Sequence, residues 1–279
     1  MQILKSDGRQ VAFDGERLAR SLRRAKIDDA LIEETVKHIA HMTRPGTSTQ
    51  HIHDRTLHFL TDRNPLGAAR YNLKHAMLQL GPTGFPFEVY LGKLMQAYGW
   101  NVEIGKTVPG MCIEHEVDIY GKREGSKNRA VEAKYHNTAG GRTDVKVALY
   151  VYARHLDLEK RDPNCRGVLI TNTEFTHDAI LYGECVGMKM KAWDYPRDEG
   201  LAKYIELKHL YPVTTFPRLP RRAAAALIQG GIVLGSDLCH MTIADANKYG
   251  MSEELFLHIQ REAAQLCPLD GHGSLPSSS

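Results

Sequence analysis

Along the first eighty residues the apolar positions change spacing in a readable order. Ile3 and Leu4, then Val11 and Phe13, flank Ser6-Asp7-Gly8, a composition that favours a tight reversal and predicts a short hairpin. Leu18, Leu22 and Ala25 then recur at helical spacing, and Ile32, Val36 and Ile39 do so again after Asp28, an expected N-cap. Arg44-Pro45-Gly46 stops that helix. Thr49 is expected to cap the next, which turns Ile52, Phe59 and Leu60 inward. A fourth helix is predicted from about Leu66 to Leu80, until Gly81-Pro82-Thr83-Gly84 breaks it.

Beyond that breaker the pattern alternates. Phe87, Leu91, Leu94 and Tyr98 form a helical stripe, and β-prone runs follow at 101–104, 116–120, 129–134 and 166–171. Helices are predicted at about 143–156 and 175–186, and Met188 to Trp193 reads as a further strand. Such alternation predicts a central sheet flanked by helices. From Pro212 the chain turns helical: an amphipathic segment from Arg218 to Gln229, a break at Gly230-Gly231, short helices near Leu238 and Ala244, and another from Ser252. The residues Asp270 to Ser279 lack apolar positions and are expected to be disordered. The expectation is a multidomain α+β chain, divided at 1–82, 85–211, 212–268 and a tail at 269–279.

Composition narrows the classes. Hydrophobic residues at 42% and charged residues at 25% suit a folded globular protein. No apolar run is long enough for a membrane span, and MQILKSDGRQ has no secretory-type stretch, so a cytoplasmic protein is expected. Five scattered cysteines fit free thiols better than a disulfide framework. With 36 Lys+Arg against 33 Asp+Glu, overall charge does not indicate a nucleic-acid partner. His51-x-His53 and Cys112-x-x-His115 lack a second ligand pair at zinc spacing.

The chemistry sits in Glu116-Val117-Asp118-Ile119-Tyr120, a polar turn, and Val131-Glu132-Ala133-Lys134. Strand alternation puts Glu132 with Lys134, and Glu116 with Asp118, on shared faces; hairpin pairing then brings Asp118 beside Glu132 and Lys134. Grouped carboxylates and an ammonium suit a hard divalent cation, Mg²⁺ or Mn²⁺, acting on a phosphate. In order, Glu88, Asp118 and Glu132-x-Lys134 resemble the PD-(D/E)xK nuclease fold, and most closely its Mrr-like restriction endonuclease branch. The likeness continues through Gly167 to Thr176 and Met190 to Asp194. It implies Asp118 and Glu132 as metal ligands, Lys134 as the catalytic lysine and Glu88 as the first-helix acid. Glu116 is a ligand, a support or simply exposed. Lys146, Tyr150 and Arg154, at four-residue intervals, offer either a DNA-phosphate face or an exposed helix face.

The N-terminal region resembles an ATP cone. The likeness rests on Leu4-Lys5-Ser6-Asp7-Gly8-Arg9, Phe13-Asp14, Arg17-Leu18, Thr49-Gln50-His51-Ile52-His53 and Ala68-Ala69-Arg70-Tyr71. It implies ATP or dATP as a regulatory ligand, held through Lys5, Arg9, Arg17, Thr49 and His53, together with self-association into a homo-oligomer. Residues 219–266 loosely resemble helix-hairpin-helix modules, with Arg218, Arg221 and Arg222 adding positive charge; a structural helical cap is the alternative. The expected function is a metal-dependent DNA endonuclease controlled by adenine nucleotide. The alternatives are an inactive nucleotide-responsive DNA-binding regulator and a nuclease acting on RNA.

Overall fold

The computed structural model describes residues 1–5 and 8–266. Ser6, Asp7, Cys267 and the whole expected tail lie outside the described residues. Strands β1 (Gln2–Leu4) and β2 (Gln10–Ala12) pair antiparallel with Ile3 opposite Val11. Helix α1 (Gly15–Arg24) is capped by Asp14, whose carboxylate accepts the Arg17 amide at 3.0 Å. Asp28 does the same for α2 (Asp29–Met42), accepting from Leu31 at 2.9 Å. Helix α3 (Thr49–Thr61) differs from the expectation by one residue. Ser48 holds the extended cap conformation and its hydroxyl accepts the His51 amide at 3.1 Å, which makes Thr49 the first helical residue. Asn64 caps α4 (Pro65–Leu78). Ile3, Leu18, Leu22, Ile39, Leu60 and Ala68 form the core of this bundle.

The middle of the chain runs α5 (Phe85–Ala97), β3 (Asn101–Pro109), β4 (Glu114–Lys122), β5 (Asn128–Lys134), β6 (Arg142–Thr143), α6 (Val145–Arg161), β7 (Cys165–Thr171), β8 (Glu174–Phe175), α7 (His177–Cys185), β9 (Lys189–Lys191) and α8 (Leu201–Lys208). Its five-stranded sheet has the order β3-β4-β5-β7-β9, antiparallel from β3 to β5 and parallel from β5 to β9. Period-two alternation sorts the two faces. Val168 and Ile170 pack with Phe87, Tyr90 and Leu91 of α5, while Leu169 packs with Ala148, Val151 and Ala179 of α6 and α7. Two features are absent from the sequence reading. The β6–β8 ladder is only two residues long, and the eight-residue α8 buries only Leu201 and Ile205.

The C-terminal part contains a 3₁₀ turn (Val213–Thr215), α9 (Arg221–Gln229), a second 3₁₀ turn (Gly235–His240), α10 (Ile243–Lys248) and α11 (Glu253–Leu266). Between α9 and α10 the chain does not make a simple helical hairpin. After Gly231 at φ 78°, Leu234 forms an antiparallel bridge to Pro212 and the second 3₁₀ turn follows. The packing of α4 ties the whole chain together. Its Ala68 joins the N-terminal core, whereas Ala69, Leu73 and Met77 join one continuous core with α5, the sheet and α11. Asn72 donates to the Thr215 carbonyl at 3.0 Å, and Thr214 donates to that of Ala76 at 2.7 Å. Arg218, expected among the DNA-facing cations, instead bridges Asp62 at 2.8 Å and the largely buried Glu262.

Candidate active site

The β4–β5 ladder pairs Gly121 with Arg129, Tyr120 with Ala130 and Ile119 with Val131, and there it ends. One residue further, Asp118 Oδ2 accepts the Ala133 amide at 2.6 Å, so a side-chain carboxylate takes the role a strand carbonyl would play. The two strands part at this point and the sheet opens. On the other side of β4, the register Ile104↔Ile119 and Lys106↔Val117 sets Gly105 level with Asp118; its φ of 62° is a conformation glycine adopts without a Cβ penalty.

Glu132, Lys134, Glu88 and Glu116 gather around this opening. Lys134 Nζ lies 2.5 Å from Glu132 Oε1, with Lys134 partly exposed and Glu132 buried. Glu88 stands in the first turn of α5. Its carboxyl is pushed up to about 7 by burial first, then by the charges of Asp118, Glu132 and Glu116, with Lys134 opposing. Burial also raises Asp118, although the Ala133 amide and the charges of Lys134 and Arg154 pull the other way. For Glu132, burial disfavours the charge, but Lys134 and Arg154 more than offset it and hold the carboxyl below its ordinary value.

Arg154 is the residue that sequence reasoning misplaced. Instead of facing outward with Lys146 and Tyr150, it is buried, pairs with Glu132 and donates to the Glu116 carbonyl at 3.0 Å. The apolar neighbours Val151 and Leu158 on the same helix supply the signal that α6 packs inward here. Lys146 and Tyr150 are exposed, as an ordinary helix face would be. A second clamp comes from Asn172, fully buried after β7. Its amide group donates to the His136 carbonyl at 2.7 Å and accepts the His136 amide at 2.8 Å, fixing the chain two residues beyond Lys134.

The donor set fits a hard divalent ion. Burial raises Glu88 and Asp118, and the neighbouring negative charges, Glu132 on both and Asp118 and Glu116 on Glu88, add to it, a charge conflict that a cation relieves. Among the described residues no group of three or more His, Cys, Asp or Glu side chains is arranged to hold a metal ion by itself. Mg²⁺ does not require one, because it retains water and takes substrate phosphate oxygens alongside one or two carboxylates.

The ATP cone domain profile matches residues 1–73, and the profile described as restriction endonuclease matches residues 82–197. The chain thus carries an ATP cone domain followed by a domain of the restriction endonuclease family. It is 31% identical over 176 residues to an uncharacterized protein of Archaeoglobus fulgidus, covering 63% of this chain and 99% of that one. It also resembles the crystal structure of a protein of unknown function, AF1548, at 30% identity and a TM-score of 0.55, covering 66% of this chain and 98% of that one.

Within the ATP cone, β1 lies parallel to Ser48, which brings Lys5 to the start of α3 beside Thr49. Across the hairpin the Lys5 amide donates to the Arg9 carbonyl at 2.8 Å. Arg17 is exposed in the first turn of α1. His53 faces α4. Its ring stacks on Tyr71 with centroids 4.9 Å apart, and its Nε2 lies 3.0 Å from Asn72 Oδ1. Burial lowers the His53 pKa, with Asn72 and Asp54 opposing, so the neutral ring prevails at neutral pH.

Proposed function

We propose that this protein is a divalent-metal-dependent DNA endonuclease whose activity responds to ATP or dATP bound by the ATP cone. The observation that supports the reading is the end of the β4–β5 ladder, where Asp118 accepts the amide between Glu132 and Lys134, those two pair, and Glu88 feels the charges of all three. The proposed metal ligands are Asp118 and Glu132. When bound, the ion supplies charge neutralisation for a scissile phosphate and acidifies water.

The remaining work falls to the chain. The Ala133 amide fixes the Asp118 carboxylate. Arg154 keeps Glu132 ionised and holds it in place, leaving Lys134 at the mouth to donate to the attacking water or to a phosphate oxygen. Water adds to phosphorus, the bond to the leaving oxygen breaks, and a proton from water goes to that oxygen. Glu88 titrates close enough to neutrality to exchange a proton near the site.

Nucleotide control has a physical route in the structure. Tyr135, next to Lys134, donates to the Leu78 carbonyl at the end of α4 at 2.7 Å. A nucleotide that shifts α4 therefore acts on the residue adjoining the lysine, provided it binds the two arrangements with different affinity.

The test is cleavage of plasmid and single-stranded DNA by the purified full chain, with Mg²⁺ or Mn²⁺, with and without ATP and dATP. Asp118→Ala and Lys134→Ala are each expected to lower the rate at least a hundredfold (order of magnitude, about 3 kcal/mol). Unchanged cleavage in both would reject the site. Nucleotide titration into Lys5→Ala and His53→Ala tests the ATP cone, and undiminished affinity in both would reject that pocket.

A further inference from the structure

A second concave site lies away from the β4–β5 opening, between the ATP cone and the segment that follows β9. It is a cleft of about 650 Å³ lined by Arg24, Lys26 and Arg70 from the ATP cone and by Trp193, Arg197 and Lys203 from the other side. Five Lys or Arg side chains therefore face it, against three acids, Asp194, Asp198 and Glu206. Glu206 is already held by Lys26, with Nζ and Oε2 3.0 Å apart, a pair that spans the two sides. The cleft keeps an excess of positive charge at an internal boundary, where like charges repel without an anion between them.

A further observation points to a ligand. The Nε of Arg70 is buried and has no hydrogen-bond partner, a donor that folded proteins rarely leave unmet.

We infer that this cleft binds a small anion carrying two or more phosphate groups and so bridges the ATP cone to the restriction endonuclease domain. Guanidinium groups from opposite walls suit phosphate oxygens, which they contact through paired N–H donors. The volume matches a nucleotide-sized molecule. The inference does not depend on nuclease activity, nor on the Lys5 and His53 pocket.

The test is calorimetric titration of inorganic tripolyphosphate into the full chain at low salt, in wild type and in a Lys5→Ala background. Saturable one-to-one binding is expected in both. Arg70→Gln should weaken it about tenfold or more, the scale of one charged hydrogen bond. The double change Arg197→Ala with Lys203→Ala, both at exposed positions that leave the core alone, should do the same. ATP competing in the Lys5→Ala background would assign the phosphates to a nucleotide; failure to compete would assign them to an inorganic polyphosphate. The inference is overturned by any of four results: no saturable binding, binding lost on Lys5→Ala, equal weakening by Lys160→Ala with Arg161→Ala on α6, or cleft-dependent binding of DNA oligonucleotides alone.

Discussion

Glu88→Gln should stabilise the protein in mildly alkaline solution and do progressively less as the pH falls. The Glu88 carboxyl titrates at about 7 in the folded chain, against an ordinary 4.5. Between those values the native state keeps a proton that the unfolded chain has released, so stability falls as pH rises through the window. At about 1.36 kcal/mol per pKa unit the whole shift corresponds to about 3 kcal/mol. Glu88 is only partly buried, and solvent screening brings this to about 1–2 kcal/mol. Glutamine keeps the shape and removes the charge, so that amount should be regained at pH 8.5 and little of it at pH 5. Urea unfolding at both pH values and low salt reads the difference. Trp100 and Trp193 serve as the fluorophores, both in the part of the chain that holds the sheet. A gain equal at the two pH values, or a loss at pH 8.5, would show that burial and the neighbouring carboxylates do not burden the Glu88 charge.

Other perturbations separate the remaining parts of the argument. If the carboxylate opening takes a divalent ion, Mg²⁺ titration at pH 6.5 should release a measurable fraction of a proton from wild type and clearly less from Glu88→Gln, as calorimetry in buffers of different ionisation enthalpy would show. Arg154→Met should destabilise the fold by about 3 kcal/mol, since Glu132 stays buried with only Lys134 to balance it, and Arg154→Lys should recover part of the loss; a denaturation midpoint equal to wild type for the methionine variant would contradict the buried pair. Gly200→Ala places a Cβ 2.4 Å from the Trp193 carbonyl oxygen and 2.7 Å from Asp194 Cα, both backbone atoms, so a loss of about 1–3 kcal/mol is expected in thermal unfolding, and a neutral result would mean the α8 entry is looser than described. Tyr135→Phe should cost about 1 kcal/mol and abolish the effect of nucleotide on DNA cleavage while basal cleavage persists; an intact nucleotide response would remove the α4 contact from the regulatory route.

Much of the architecture was legible because it depends on neighbours in the chain. Asp28, expected as a cap, does cap α2 through the Leu31 amide three residues ahead, and the apolar spacing of Leu18 and Leu22 and of Ile32 and Ile39 marks helix faces that are buried. The pairing of Asp118 with the Glu132–Lys134 strand follows from the short turn between them, which leaves few ways to connect two strands. The same local rules misplaced the cap of α3 by one residue, because Ser48 and Thr49 both satisfy them and backbone conformation alone chooses. They also passed over α8, whose two buried positions are too few to announce a helix.

What only the tertiary structure decided concerns side chains whose partners lie far along the chain. Arg154 has the spacing of a surface cation but balances a carboxylate 22 residues away, and Arg218 has the look of a DNA contact but joins residues 156 and 44 positions distant. The cleft around Arg70 is assembled from segments more than a hundred residues apart. Sequence spacing reports which side chains share a face of one element; a long, flexible cation can serve a solvent face or a buried acid equally well by that measure. The choice comes from the free energy of burying a charge, which is tolerable only where packing brings the opposite charge to meet it.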